Sequence, residues 1–448
     1  MSSSLLSDQV RWQQPEVNRY GIDQTRLSIA SAPIEAEPFS FLVIGDTDAG
    51  GQSSHFSEGF ARQLIAHLED SRFLLHTGDV TYPVGSYENY WKGFLRPYRA
   101  LISNLPPNPD YKGRPIVFNQ PLLPVPGNHD YAAPDSKWKS QLLQIVCDYL
   151  RRTLKIDLGH YGGWNGEAYA QTFLDNLKDL TPEQLHTHLT TYYRTGLRYQ
   201  TGHFTRLPNR YYSFRYGGVD FFALDSNTWK TAPNMAGFDY EQLDWLVNSL
   251  TRSWRTPGTI GRIIYLHHSP YTTEVSRWQQ SETLWVRKHL RGVFKRVALE
   301  LEQSEPRPLV DLVISGHAHC LEHLQTMSKS GVRQADAGMD WIVCGGSGID
   351  VRSQWRTQSA EIMENVTHSG RSYPSVVAKS HLYVGNHTKK NKKQSLYSFI
   401  RVSVWPRREQ VFNVVPHVVS VDEKGWQTVS LSALNIKAID RPRQYSSC

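Results

Sequence analysis

The chain has 448 residues and a formal charge of +7, from 49 Lys and Arg against 42 Asp and Glu. At ~150 residues per domain the length allows roughly three domains, or one large α/β domain with insertions. Apolar residues at 39% and aromatics at 12% exclude a largely disordered chain.

In chain order, residues 1–38 read as an irregular N-terminal lead-in rich in Ser, Gln and Pro. Its start, MSSSLLSDQVRWQQPEV, has no basic region followed by an apolar one, so a cytoplasmic location is expected. Short apolar runs then stop one after another at Gly, Asp, Asn or His: Phe39–Ile44, Phe73–Leu75, Leu122–Val125, Val219–Leu224, Ile263–Leu266 and Leu309–Ile314. Their length and their β-branched and aromatic content predict buried strands. Between them, Phe56, Phe60, Leu64 and Leu68 mark an amphipathic helix. Leu243, Leu246, Val247 and Leu250 mark a second, and Leu290, Val293, Phe294 and Val297 a third. Strands alternating with helices predict an α/β protein with a sheet covered on both faces.

The stretch 131–210 breaks this rhythm and reads as an insertion over the sheet, with helices expected near Leu142–Leu154 and Ala168–Leu180. Further on, Ser398–Val404 and Gln410–Val415 predict strands without intervening helices, in a second sheet. The basic run 387–393 reads as a solvated loop. The catalytic unit is expected over 39–420, with 421–448 as a C-terminal tail. No run approaches the ~18 apolar residues of a membrane span.

Polar clusters follow five of the strands: Gly45-Asp46-Thr47-Asp48, Gly78-Asp79-Val80-Thr81-Tyr82, Gly127-Asn128-His129-Asp130, His267-His268-Ser269-Pro270 and Gly316-His317-Ala318-His319. Strand ends are where α/β sheets bind ligands. Carboxylates and imidazoles together suit Zn, Fe or Mn, and they are numerous enough for two ions sharing a bridging carboxylate. The four cysteines, Cys147, Cys320, Cys344 and Cys448, have no metal-finger spacing. Cys320 reads as a small buried thiol.

In the order and spacing of these clusters the chain resembles the calcineurin-like metallophosphoesterase superfamily. The Asp79-x-x-Tyr82 spacing and the run from Gly316 to His323 resemble its purple acid phosphatase branch, of the tartrate-resistant kind. The resemblance spans about 39–350. It implies a four-layer α/β/β/α sandwich of two mixed sheets. It also implies one metal ion, iron in the purple branch, on Asp46, Asp79, Tyr82 and His319. A second ion (Fe, Zn or Mn) would lie on Asp79, Asn128, His268 and His317. His129 would face the substrate and protonate the leaving oxygen, while the metals supply an activated hydroxide for attack at phosphorus.

Departures from the pattern leave alternatives. Asp48 stands where the purple branch has Gly. It is a supplementary ligand, an acceptor behind a ligand histidine, or a turn residue. Of the adjacent pair, His268 is preferred because Ser269-Pro270 follows it, which leaves His267 behind the ligands or in the core. Tyr82 is an iron ligand or a packing residue. The expected function is phosphomonoester hydrolysis on a small phosphorylated substrate, without specific nucleic-acid binding. The alternatives are a phosphodiesterase acting on a cyclic nucleotide, nucleic acid or phospholipid head group, and a catalytically silent metal-binding protein.

Overall fold

The apolar runs that end in polar clusters become strands of two mixed sheets, all of them inner except Leu122–Pro124, which lies at a sheet edge. A computed structural model describes residues 15–436 apart from 31–36, 48–53, 132–144, 147–148, 151–152, 154–164, 178–179, 229–235, 304–306, 328–334, 349, 356–359, 369–370, 390–391 and 424. One sheet has six strands, in the order β18-β17-β16-β2-β3-β4. They are β2 (Phe39–Ile44), β3 (Ser71–His76), β4 (Leu122–Pro124), β16 (Tyr397–Val404), β17 (Phe412–Asp422) and β18 (Gly425–Ser430).

The other sheet has ten strands, in the order β12-β13-β10-β11-β9-β8-β7-β6-β1-β5. Its N-terminal half comprises β1 (Arg26–Ile29), β5 (Leu197–Tyr199), β6 (Tyr212–Tyr216), β7 (Val219–Ala223) and β8 (Gly261–Leu266). The remainder is β9 (Leu312–Ser315), β10 (Leu321–Thr326), β11 (Asp340–Cys344), β12 (Glu361–His368) and β13 (Arg371–Val384).

β2, β3 and β4 run parallel, as do β7, β8 and β9. Their C-terminal ends therefore gather along one edge of each sheet. All residues of β2 and β8 are buried, as expected of strands covered on both faces. Between the sheets Phe39, Phe41 and Phe73 interleave with Phe214, Tyr216 and Phe221. The ring centroids of Phe73 and Phe221 are 5.5 Å apart and those of Phe39 and Tyr216 are 5.0 Å apart. Each fully buried aromatic of this kind contributes roughly 1.5–3 kcal/mol.

The helices Tyr240–Arg255 and Ser281–Glu300 cover the outer face of the ten-stranded sheet, where Leu246, Leu250, Leu290 and Val293 join one core with Ile264 and Val313. The first is capped by Asp239, whose side chain accepts from the Gln242 N–H at 2.9 Å. The helix Ser54–Ile65 buries Phe60 and Leu64 on the six-stranded sheet and completes the α/β/β/α layering.

Elsewhere the structure departs from the sequence reading. The lead-in carries a helical turn, Pro15–Arg19, and β1, which pairs with β5 and β6. The segment after 421 carries β18 at the edge of the six-stranded sheet. In the insertion the helix Glu167–Phe173 stops where Leu174 turns extended, and a second helix, Pro182–Tyr192, follows. The helix expected at Leu142–Leu154 falls largely outside the described residues. The basic run forms a hairpin of β14 (Asn386–Lys389) and β15 (Lys392–Ser395). Among the described residues no helix is long and apolar enough to cross a membrane.

Candidate metal centre

The oxygen donors come from turns that leave β2, β3 and β4. Asp46 and Asp79 have left-handed backbone, φ 56° and 49°, and His317 shares it at φ 66°. Non-glycine residues adopt that region at a cost of order 1–3 kcal/mol and mostly where a site requires it. Asp79 Oδ1 accepts from the His129 N–H at 2.8 Å, and Oδ2 accepts from the Tyr82 hydroxyl at 2.9 Å. The same hydroxyl donates to Asp46 Oδ1 at 2.7 Å and lies 3.3 Å from His319 Nε2. Asp46 Oδ2 accepts from the His317 N–H at 3.0 Å. The approach is so close that a Cβ on Gly127 would lie 2.1 Å from Asp79 Oδ1, and one on Gly316 2.6 Å from Asp46 Oδ2.

The imidazoles come from β8 and β9. His267 Nδ1 lies 2.9 Å from the Thr77 carbonyl, which only accepts, so this nitrogen carries a proton. Its Nε2 sits 3.1 Å from Asn128 Oδ1, 3.3 Å from Asp79 Oδ2 and 3.2 Å from His317 Nδ1. His268 Nδ1 meets Ser226 Oγ at 2.8 Å, and its ring lies 4.4 Å from that of His317. His317 Nε2 is held 3.1 Å from Glu282 Oε2. Two groups of ligand atoms result, each within 4.8 Å: His267 with His268 and His317, and Asp46 with Asp79 and His267. Asp48 lies outside the described residues. The sequence preference for His268 over His267 thus meets a geometry that puts His267 at the junction of both groups.

His129 stands apart at the rim, its side chain 31% exposed. Its Nδ1 donates to the Pro83 carbonyl at 2.7 Å, leaving Nε2, 4.0 Å from Asp79 Oδ2, as the nitrogen that faces the site. Asp130 is buried beneath it and accepts from the backbone N–H of Gly127 at 2.8 Å and of Val80 at 3.2 Å, which holds this turn against that of Asp79.

The electrostatics are those of a site built for cations. Burial, helped by the charge of Asp79, pushes Asp46 up to about 7. Burial works to raise Asp79 as well, but the charges of His267 and His129 hold it well below the usual carboxylate range. Burial works to lower His267, yet the charge and hydrogen bond of Asp79, with Asp46, lift it to about 9. Burial and the two carboxylates push the Tyr82 phenol well above its ordinary value. Burial and then the charge of Arg352 lower His319 to about 3. Acceptors thus crowd around His267 Nε2 and the Tyr82 oxygen. Protons on those atoms are one answer to this crowding, and metal ions are the other. The donor set fits ions that take mixed O and N ligands.

Of the residues singled out in the sequence, Asp46, Asp79, Tyr82, Asn128, His268, His317 and His319 lie together in the structure. Sequence reasoning missed Glu282, which orients His317, and Ser226 and Thr77, which orient His268 and His267. Such partners behind metal ligands fix ring orientation and tautomer. None carries a local signal, since each is remote in sequence from the histidine it holds.

The sequence model described as calcineurin-like phosphoesterase matches residues 39–321. No curated protein matches the chain. Among solved structures it is similar to a purple acid phosphatase from yellow lupin (Lupinus luteus) seeds, at 13% identity and a TM-score of 0.45 over 90% of this chain and 56% of that one. The chain therefore spans little more than half of the lupin protein. GAP50, the anchor in the inner membrane complex of Plasmodium, gives 16% identity and a TM-score of 0.39 over 90% of this chain and 91% of that one. PhoD gives 11% identity and 0.45 over 91% and 75%. None of these likenesses separates one branch from another. The family match runs over more than half of the residues and takes in each strand end that feeds the ligand clusters, so the chain belongs to the calcineurin-like phosphoesterase family.

Proposed function

We propose that the protein is a metal-dependent phosphomonoesterase with a dinuclear centre of the purple acid phosphatase kind, acting on a small phosphorylated substrate. The observation that carries this reading is the convergence of two carboxylates, a phenol, an amide and buried imidazoles beside one imidazole at the rim. One ion, iron, is assigned to Asp46, Asp79, Tyr82 and His319. The second, Fe, Zn or Mn, is assigned to Asp79, Asn128, His267 and His317, with His268 beside it. Asp79, whose Oδ2 lies beside both the Tyr82 hydroxyl and His267 Nε2, would be the residue shared by the two ions. The ions, when bound, neutralise phosphate oxygens and activate water. His129 Nε2 passes a proton to the leaving oxygen, its tautomer set by Pro83.

Turnover of an aryl phosphate monoester against its bis-aryl diester tests the reading, and a clear diester preference overturns it. In His129→Ala, kcat should fall by at least ~10²-fold, as for a lost acid–base group. A wild type without hydrolysis would leave a silent metal-binding protein. The iron assignment expects a visible Tyr–ferric charge-transfer band that disappears in Tyr82→Phe; a colourless protein holding only zinc or manganese refutes it.

A further inference from the structure

Two arginines outside the ligand set flank the turn that bears His317 and His319. Arg277 Nη1 lies 3.7 Å from Glu282 Oε2, the same carboxylate oxygen that holds His317. It donates to Gln280 Oε1 at 2.7 Å, and its Nε is buried without an acceptor among the described residues. Arg352 approaches from the other side. Its backbone N–H donates to the His319 carbonyl at 2.8 Å, and its guanidinium donates to the hydroxyl of Ser276, the neighbour of Arg277.

The two arginine-bearing segments are tied to each other. Val275 N–H donates to Ser353 O at 3.1 Å, and Trp355 N–H donates to Thr273 O at 2.8 Å. Trp278 and Trp355 stack with centroids 3.9 Å apart. Beneath them buried Glu322, on β10, accepts from the Thr273 N–H and the Thr272 hydroxyl, each at 2.9 Å. The wall is thus fixed to the strand that follows His319.

Some arginines of this protein are closely paired with carboxylates. Arg215 meets Asp220 at 2.6 and 2.8 Å, and Arg291 meets Glu364 at 2.7 Å and Asp336 at 3.0 Å. Arg277 and Arg352 are not. Their carboxylates stand 3.7 and 4.0 Å away, and that of Arg352, Asp350, is 63% exposed. Both side chains are mostly buried, at 18% and 29% exposure. Guanidinium groups so placed keep donors for an incoming anion, and phosphate oxygens match their fork.

We propose that Arg277 and Arg352 form a cationic wall that binds the non-bridging oxygens of the phosphoryl dianion and so favours monoesters, with two negative charges, over diesters, with one. This rests on the hydrolase reading above. The test uses the metal-loaded full chain, with inorganic phosphate binding by calorimetry, metal content, and kinetics on an aryl monoester and its bis-aryl diester. In Arg277→Gln, phosphate affinity should weaken and monoester KM rise on the order of 10- to 100-fold, the scale of a lost hydrogen bond to a charged group, with a smaller change in kcat and in diester KM. Should that variant lose metal, Arg352→Gln, whose parent side chain hydrogen-bonds to none of the ligands, carries the same expectation. Equal losses on both esters, or unchanged phosphate affinity at full metal content, overturn the wall. If wild type hydrolyses neither ester, the hydrolase reading fails by itself. Phosphate binding that weakens in the variants would then still support the wall.

Discussion

The two sheets contribute different chemistry to the same seam. The six-stranded sheet supplies oxygen: Asp46, Asp79, Tyr82 and Asn128 leave β2, β3 and β4. The ten-stranded sheet supplies nitrogen: His267, His268, His317 and His319 leave β8 and β9. Short carboxylate arms on strained turns bring charge close together, and imidazoles reach across to surround it without adding charge of the same sign. Neither sheet holds a complete site. The ligand geometry is therefore a property of how the sheets pack, and the aromatic layer between them belongs to the centre as much as the ligands do.

The strongest way to break this division is to remove one imidazole at a time. His267→Ala should lose one of two bound ions and reduce monoester hydrolysis by more than the roughly 10- to 100-fold typical of a residue that merely orients a ligand. His268→Ala should stay within that range. Metal analysis and kinetics on the two variants decide it, and the reverse ranking returns the inner place to His268.

The packing itself is tested by Phe73→Ala. This ring is buried and touches Phe214, Tyr216 and Phe221 of the opposite sheet. Its loss should destabilise the fold by about 3–5 kcal/mol in urea unfolding. A change under 1 kcal/mol, on the scale of an exposed-site substitution, would show that the seam does not depend on this layer.

The smallest effect concerns an imidazole of the oxygen-bearing sheet that faces away from the centre. His417 stacks on Phe399, centroids 4.7 Å apart, and bonds Ser430 Oγ at 3.0 Å. Burial, with the charges of His67 and Arg401, lowers it from 6.5 to about 4. Between those values the unfolded chain binds more protons than the native one, so stability rises with pH through the window and is lost on acidification from 6.5 to 4. Relative to His417→Phe, wild type should lose about 2 kcal/mol over that range, with metal content unaffected at neutral pH. Parallel pH profiles for the two proteins would remove the titration from His417.

How much of this was legible in the sequence varied with the locality of the cause. Asp46, Asp79 and Asn128 could be read because an apolar run, a glycine and a polar ligand follow one another within a few residues. The adjacent histidines are ranked in the sequence only by the Ser269-Pro270 that follows His268. Alternation along a strand would send them to opposite faces, but β8 ends at Leu266 and both lie beyond it, their rings 4.9 Å apart. The polar composition of Pro182–Tyr192 hides its helical period, and only the capping box of Thr181 and Gln184 marks where the helix starts. β1, with four residues, is too short to show a period and owes its place to its neighbours. Glu282, Arg277 and Arg352 become site residues only when a helix start and two loops fold back over β9, which no spacing announces.

The left-handed backbone at Asp46 and Asp79 bears on how a centre of this kind can fall silent. Asparagine, like aspartate, is among the few non-glycine residues that enter that conformation with any frequency, whereas most side chains do not. A descendant could therefore exchange either aspartate for asparagine, shed a charge the ions depend on, and keep every turn of the chain in place. Backbone likeness would then pass unchanged from a working enzyme to an inert one. In proteins of this architecture, kinship of shape and kinship of activity can part at a single side-chain atom.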